Sequence, residues 1–466
     1  MFRLLRSRPT VRMATLLICE GALIVCVIVL ASYVRLGRDA SQLFLAGHGF
    51  AKAILIAVVC QTCFYYADLY NFRVIADRRE LVVRSLQALG ASSLLLAVIY
   101  YWFPELVIGR GVVVIAAAFV VTAVAGWRVV FEWATHYVRA RERLLLAGTS
   151  RAAIELAREL HARRAELGIE IVGFVDADSS RVGEPLINPG IIGTVADIPW
   201  IARERAVDRV VVSLADARGK LPMDLLLDMR LNDGVRFDHL ASVYEEYTGK
   251  IAVENLRPSW LIFSEGFNKA RPLLVSKRAI DVVITLFALA LALPVGLLVA
   301  AAIKLTSHGP VLYHQQRVGR TGRVFTVHKF RSMQVDAEAG TGAIWATPGM
   351  DPRVTRIGRY LRRLRLDELP QLWNVLTGDM SLVGPRPERP EFVQDLTTQI
   401  PFYGQRHVVK PGLTGWAQVR YTYGATIEDA MEKLQYDLFY IKNMSIALDL
   451  YIMLSTVKTI LTRKGS

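Results

Sequence analysis

The chain has 466 residues, 53% of them hydrophobic and 21% charged, with a mean hydropathy of +0.32. That length allows about three domains, and the composition excludes a disordered chain or a small disulfide scaffold. Lys and Arg number 56 against 42 Asp and Glu, and the formal charge of +14 in so apolar a chain points to anionic membrane lipids or phosphorylated substrates rather than to nucleic acid.

Four long apolar runs come first, at Met13–Val34, Leu43–Tyr66, Leu86–Phe103 and Val112–Trp133. Each is close to what a helix rising about 1.5 Å per residue needs to cross about 30 Å of hydrocarbon, which predicts a four-helix transmembrane domain over residues 1–138. A cleaved signal peptide is not expected, because the first run lacks a small-residue cleavage site and further spans follow. Cys19, Cys26, Cys60 and Cys63 all fall within these runs. Cys60 and Cys63 have CxxC spacing but no second ligand pair, so they read as small apolar side chains. Arg3, Arg6, Arg8 and Arg12 precede the first span, Arg73, Arg78, Arg79 and Arg84 separate the second from the third, and Arg139, Arg141 and Arg143 follow the fourth. The other loops carry only Arg35, Arg38, Lys52 and Arg110, so the N-terminus and everything after the fourth span are expected in the cytoplasm.

From Arg143 onwards short β-branched runs (RLLLAG, EIVGFVD, RVVVSL, VRFDHL) alternate with amphipathic stretches, the pattern of a parallel, Rossmann-like α/β domain, placed at 139–270. A dinucleotide fingerprint needs three glycines after the first strand, whereas Gly148-Thr149-Ser150 supplies one, which favours a structural or regulatory module.

The fifth apolar run, Ala279–Ile303, would measure about 38 Å as a straight helix but contains Pro294. Lys277 and Arg278 precede it, and Lys304, Arg317, Arg320, Arg323, Lys329 and Arg331 follow it. Basic flanks on both sides suit a helix broken near Pro294 into halves of about 22 and 14 Å that enters and leaves on one side, a re-entrant helix over 277–304. A kinked fifth span is the alternative, and it would put the following basic domain outside the cell.

Beyond this helix Arg317, Arg320, Arg323, Lys329, Arg331, Arg362, Arg363, Arg365 and Arg386 are dense among glycines. Guanidinium forks and accessible backbone N–H groups suit a polyphosphate; a solvated basic face on anionic lipid is the other reading, and both can hold together. No GxxxxGK[ST] loop is present. Asp367-Glu368 is the adjacent carboxylate pair of this basic segment. Ahead of Pro370 it could simply start a helix, with the aspartate as cap. Alternatively a helix start and flanking arginines could hold Asp367 ionised for attack at phosphorus, with Mg²⁺ on the pair. At the C-terminus, Ile446, Leu450, Met453, Leu454, Val457 and Leu461 recur at helical spacing in Met444–Leu461, which predicts an interfacial or core helix at the membrane surface.

Over Lys277–Ser466 the motifs KR-ID, GP-V-Y-Q-R-G, KFRSM, LDELPQLWNVL, DMSLVGPRP, KPGLTGWAQV and YDLFYIKNMSIALDL stand in one order. In this the chain resembles the polyprenyl-phosphate glycosyl-1-phosphate transferases of bacterial surface polysaccharide synthesis, and its four spans and degenerate Rossmann-like segment resemble the larger subgroup. The resemblance implies a membrane protein of α and α/β class: a four-helix transmembrane bundle, a Rossmann-like domain, and a mainly helical catalytic domain over 271–466 with a re-entrant membrane helix. It implies Asp367 as nucleophile beside Glu368, both at a Mg²⁺ site, with Lys329, Arg362 and Arg386 as phosphate or nucleotide contacts; the basic segment itself adds Arg317 and Arg331 as substrate-binding candidates. The implied reaction moves a sugar 1-phosphate from a UDP-sugar to polyprenyl phosphate and releases UMP, at the cytoplasmic face of the bacterial inner membrane, in contact with membrane lipids. Arg365 stands where many members have Ser, adding charge beside the pair. A homodimer, the identity of the sugar and any ligand of the middle domain are left open.

Two other classes compete. A membrane-bound nucleotide-sugar epimerase would need a working dinucleotide loop and a Tyr-x-x-x-Lys pair, whereas Tyr247 and Lys250 are spaced as YxxK. A lipid-binding scaffold would use the basic surface alone.

Overall fold

Apolar runs free of interior proline form the first helices of the computed structural model: α1 (Arg8–Leu36), the short α2 (Asp39–Leu45), α3 (Gly49–Tyr66), α4 (Arg78–Trp102) and α5 (Arg110–Tyr137). The structure describes residues 8–45, 48–70, 78–137, 142–162, 164, 169–187, 189–213, 223–253, 264–335, 337, 353–421, 424 and 426–462. Arg3, Arg6, Arg73, Arg139 and Arg141 of the charge pattern lie outside them. Leu17–Leu36, Gly49–Tyr66 and Val83–Trp102 are long and apolar enough to cross a membrane, and α5 coincides with the fourth expected span. The helices meet through Ile24, Ile28, Ala53, Ala57, Phe64, Val120 and Val124, with alanines letting backbones approach closely. Leu30, Val34, Ile54, Val58, Leu94 and Val98 are exposed, as a lipid-facing surface requires.

An ion pair lies inside this bundle. Arg128 Nε and Nη2 are both 2.8 Å from Glu20 Oε1, and both side chains are 0% exposed. Arg128 Nη1 also donates to Leu69 O at 3.0 Å, and its guanidinium stands 5.4 and 5.5 Å from the Phe64 and Tyr70 ring centroids. One side chain therefore joins α1, α5 and the turn after α3.

The next elements are β1 (Glu142–Ala147), α6 (Arg151–Ala162), β2 (Ile169–Asp176), β3 (Ile191–Thr194), α7 (Ile198–Glu204), β4 (Arg209–Val212), α8 (Met223–Asn232) and β5 (Arg236–His239). The strands form one parallel sheet in the order β3-β2-β1-β4-β5, the doubly wound arrangement expected from the sequence. Leu144, Leu145, Leu146 and Ala147 are buried in succession, as a central strand covered on both faces must be. After β1, Gly148 takes φ +112°, and Arg181 Nη1 donates to Thr149 Oγ1 at 2.7 Å and to Asp176 Oδ2 at 3.0 Å. The polar groups of this loop thus pair with one another.

Two compact units make up the chain, Met1–Leu240 and Ala241–Ser466. Helix α9 (Leu240–Thr248) leads into the second, whose core includes Ile251 and Val253. Residues 241–253 and 264–270, expected to close the middle domain, therefore belong with the C-terminal unit. Its further elements are α10 (Arg271–Thr306), the antiparallel hairpin β6 (Leu312–Val318) and β7 (Val324–Phe330), α11 (Arg356–Arg363), α12 (Gln371–Thr377), β8 (Ser381–Val383), α13 (Pro390–Gln399), β9 (Gly412–Thr414), α14 (Trp416–Arg420), α15 (Ile427–Asn443) and α16 (Ile446–Thr462). β8 and β9 pair in parallel. Val375, Met380, Leu434, Leu438, Tyr440 and Ile452 form the centre of the core.

Helix α10 corrects one expectation. Its backbone stays α-helical through Pro294 for 36 residues, about 54 Å measured along the helix axis, instead of separating into two helices there. A proline removes one backbone N–H, a loss that neighbouring packing can compensate in an apolar helix. Ile284, Ala288, Leu289 and Ala292 pack on the main core, and Val299 and Ile303 pack with Phe330 and Leu361. Val283, Leu286, Phe287, Leu291, Leu297 and Leu298 are exposed on the remaining surface. Helix α16 is similarly two-sided, with Leu448 and Ile452 buried and Leu450, Leu454 and Val457 exposed.

Replacing Arg128 with Ala strands a buried carboxylate and should destabilise the first unit by about 3–5 kcal/mol, whereas the double replacement Glu20→Leu with Arg128→Leu should be far milder. Thermal unfolding in detergent measures both.

Candidate active site

The site begins where α11 ends. Thr355 Oγ1 accepts from Gly358 N at 2.9 Å to start that helix, and Arg365, with φ +53°, turns the chain out of it. A non-glycine residue held in the left-handed region stores strain, as residues at functional turns commonly do. Leu366–Glu368 then forms a single 3-10 turn, and α12 starts only after Pro370. Asp367 caps neither element: the turn and α12 have no side-chain cap. The cap reading of Asp367 is thereby corrected, and so is the placement of the pair at the first turn of a longer helix.

Glu368, not Asp367, receives the cations. Arg386 Nη2 donates to Glu368 Oε1 at 2.7 Å, Lys329 Nζ lies 4.0 Å from the same oxygen, and Arg365 Nη1 lies 3.8 Å from Oε2. Burial alone would raise the Glu368 carboxyl, but Arg386, Lys329 and Arg365 together pull it down to about 2. Burial lowers the Lys329 ammonium to about 8 against the pull of Glu368, with Arg386 and Arg317 adding repulsion. Asp367 is half-buried and accepts no hydrogen bond among the described residues. Burial and the neighbouring Glu368 charge raise its carboxyl above the ordinary value, outweighing Lys329, Arg362 and Arg386. This corrects the expectation that its surroundings hold Asp367 more firmly ionised. The dyad therefore has one carboxylate locked in a cationic ring and one with its oxygens uncommitted.

Three segments build the ring. Lys329 comes from β7, Glu368 from the turn before α12, and Arg386 from the chain just beyond β8. Asn374, 1% exposed on α12, ties the first two: its Nδ2 donates to Thr326 O at 2.8 Å and its Oδ1 accepts from His328 N at 3.1 Å. The third is fixed by backbone packing, because a Cβ on Gly412 would collide with Gly384 N and one on Gly415 with Gly384 O. Arg406, which the density of basic residues did not single out, donates to Arg386 O at 3.0 Å and pairs with the buried Asp437 at 2.8 Å. Burial, with Glu388 nearby, raises the Asp437 carboxyl to about 6 despite Arg406.

The other expected contacts divide. Arg362 is exposed, donates to Ser332 Oγ at 3.0 Å and acts electrostatically on Asp367. Arg317 donates to Gln315 Oε1 and to Pro387 O, joining the hairpin to the segment after Arg386. Arg331 is not brought to the dyad: its guanidinium, 5% exposed, donates to His308 O at 2.7 Å, Ser307 O at 3.0 Å and Ser307 Oγ at 2.6 Å. It closes the end of α10, because the chain leaves β7 at Phe330 and turns towards that helix. Pro294 lies within α10 and not among the dyad's partners.

Residues 273–463 match a family model described as bacterial sugar transferase, and residues 65–221 match one described as a CoA-binding domain. Among curated proteins, an undecaprenyl-phosphate glucose phosphotransferase of Komagataeibacter xylinus is 38% identical over 69% of this chain and 59% of its own length. A UDP-N-acetylgalactosamine-undecaprenyl-phosphate N-acetylgalactosaminephosphotransferase of Aeromonas hydrophila is 44% identical over 49% of this chain and 53% of its own. A UDP-glucose:undecaprenyl-phosphate glucose-1-phosphate transferase of Klebsiella pneumoniae is 35% identical over 68% of this chain and 67% of its own. The chain belongs to the bacterial sugar transferase family. The family match covers the whole of the cationic ring, and the chain spans between about half and two thirds of these relatives' lengths.

The ring makes a pH prediction for the folded chain. A carboxyl whose value drops on folding from 4.5 to about 2 contributes stability that is present above 4.5 and lost as the pH falls towards 2. Arg386→Ala removes the nearest cation, so its unfolding midpoint should depend less steeply on pH across that interval than that of the wild type.

Proposed function

We propose that the chain transfers a sugar 1-phosphate from a UDP-sugar to polyprenyl phosphate and releases UMP, through a phosphosugar held covalently on Asp367. The observation carrying this reading is the inequality of the dyad: Glu368 is committed to Arg386, Lys329 and Arg365, while the adjacent Asp367 carboxylate has no hydrogen-bond partner among the described residues. A half-desolvated carboxylate beside a fixed anion and several cations suits attack on a phosphorus that the same cations attract. In the first half-reaction an Asp367 oxygen bonds to the phosphorus bearing the sugar, and the bond to the bridging oxygen breaks, so that UMP leaves. In the second, a phosphate oxygen of the polyprenyl acceptor attacks that phosphorus and frees Asp367. Arg386, Lys329 and Arg362 provide positive charge where the donor's phosphates would lie.

The residues fit Mg²⁺, which takes oxygen ligands from one or two carboxylates together with substrate phosphates and water. Asp367 and Glu368 would supply the protein oxygens, since no group of three His, Cys, Asp or Glu side chains suited to a metal occurs among the described residues. Bound there, the ion would neutralise charge on the donor's phosphates.

The reading places the site at the cytoplasmic face of the bacterial inner membrane, with α10 entering and leaving on that side. Both ends of α10 are tied to one polar region. Lys277 donates to Val383 O at 3.1 Å near its start, and Arg331 holds Ser307 at its finish. Val383 is three positions before Arg386 and Arg331 two after Lys329, and these two cations share Glu368. Such a cluster favours one aqueous side over attachments separated by about 30 Å of hydrocarbon.

Two measurements test this. With donor and Mg²⁺ but no lipid, intact-protein mass should rise by one phosphosugar as up to about one equivalent of UMP appears; Asp367→Asn should show neither, and EDTA should suppress both until Mg²⁺ is restored. Turnover by folded Asp367→Asn would remove Asp367 as nucleophile. For topology, single cysteines replacing Ser276 and Ser307 in a cysteine-free background should both react with an impermeant thiol reagent only from the cytoplasmic side. Labelling at 307 from outside would overturn re-entry.

A further inference from the structure

The first turns of α10 carry Lys277, Arg278 and Asp281, polar side chains for which the proposed chemistry has no direct use. Asp281 is 6% exposed. Its Oδ2 accepts from Ser381 Oγ at 2.7 Å, and its Oδ1 accepts from Leu382 N at 3.3 Å. Lys277 Nζ donates to Val383 O at 3.1 Å and to Asp449 Oδ2 at 2.6 Å. Tyr440 donates to the same two partners, Val383 O at 3.1 Å and Asp449 Oδ1 at 2.8 Å. Each residue of β8 is therefore gripped by a polar group, two of them from one turn of a helix whose other surface is apolar and exposed. On the adjoining position, Arg278 donates from Nη1 to Val375 O at 2.6 Å and from Nη2 to Leu376 O at 2.7 Å, satisfying terminal carbonyls of α12.

These contacts lead to the two halves of one ion pair. β8 ends at Val383, and only Gly384 and Pro385 separate it from Arg386. α12 begins at Gln371, just past Glu368. Apolar packing alone could seat α10, and burying an aspartate and a lysine on it carries a desolvation cost that simple anchoring does not require. We infer that Lys277, Arg278 and Asp281 are positioning residues that set the Arg386–Glu368 contact, so that the seating of α10 in the bilayer and the geometry of the site are coupled. The inference rests on the proposed transferase reading for its kinetic consequences, and on the hydrogen bonds for its structural one.

The test uses the full chain in phosphatidylethanolamine/phosphatidylglycerol nanodiscs, comparing wild type with Asp281→Ala, Ser381→Ala and Lys250→Met. The last removes the Lys250–Glu432 pair, elsewhere in the same unit, as a control. Amide hydrogen exchange should quicken in residues 382–388 and 366–370 of Asp281→Ala and Ser381→Ala, and not in the control. The kcat of Asp281→Ala should fall about 100-fold, the scale of an ångström-sized misplacement, while its KM for the UDP-sugar stays within about threefold of the wild type. Unchanged exchange in both segments, or a wild-type kcat in a folded Asp281→Ala protein, would overturn the inference. So would a loss of activity that only tracks uniform loosening of the unit. If Asp281→Ala fails to fold, Ser381→Ala, which removes one bond without deleting the carboxylate, decides by the same criteria. Absence of UMP release by the wild type across a panel of UDP-sugars would instead reject the transferase reading, and the exchange comparison would still decide whether the helix positions the pair.

Discussion

A carboxylate taken largely out of water must be neutralised, and in the C-terminal unit that requirement falls on Glu368. No single local stretch supplies the neutralisation: Lys329 arrives on a hairpin, Arg365 on a strained turn and Arg386 on the loop after a short strand. Each cation is useful only if its segment is held, so the hairpin is tied to α12 through Asn374 and the loop is braced by Arg406. The electrostatic need of one side chain thus accounts for why distant parts of the chain converge. It also separates the two members of an adjacent acidic pair, leaving one ringed by cations and one without a hydrogen bond among the described residues.

The membrane enters this arrangement through α10. A helix exposed to lipid on one side normally offers the rest of a protein only apolar packing, but here its first turns carry buried polar groups directed at the segments of the site. The N-terminal unit has a corresponding feature in Glu20 and Arg128, whose contact joins residues 108 positions apart within hydrocarbon-like surroundings. In both places charge inside an apolar context specifies which segments meet, a task that interchangeable Leu, Val and Ala side chains perform poorly.

Much of this was legible in the sequence because it depends on run length and alternation. Four apolar segments predicted the N-terminal helices, and short β-branched runs predicted the parallel sheet. Asp367-Glu368 stood out as acids among basic residues. The allocation of partners was not legible, because it turns on φ at Arg365 and on where β7 ends. Those two features give the cations to Glu368 and send Arg331 to the end of α10. Pro294 misled for a related reason: a proline's lost hydrogen bond is a local fact, but whether a helix continues past it is decided by packing along its length. Glu20 and Arg128 were visible as charges within apolar runs, yet nothing local identified them as partners.

Gly384, Gly412 and Gly415 meet backbone to backbone, without room for a methyl group. Diversification among related enzymes therefore cannot readily proceed by substituting side chains at this crossing, and the loop bearing Arg386 has little freedom to drift. Sequence change on such a scaffold has more room on the surfaces around this crossing than at the crossing itself.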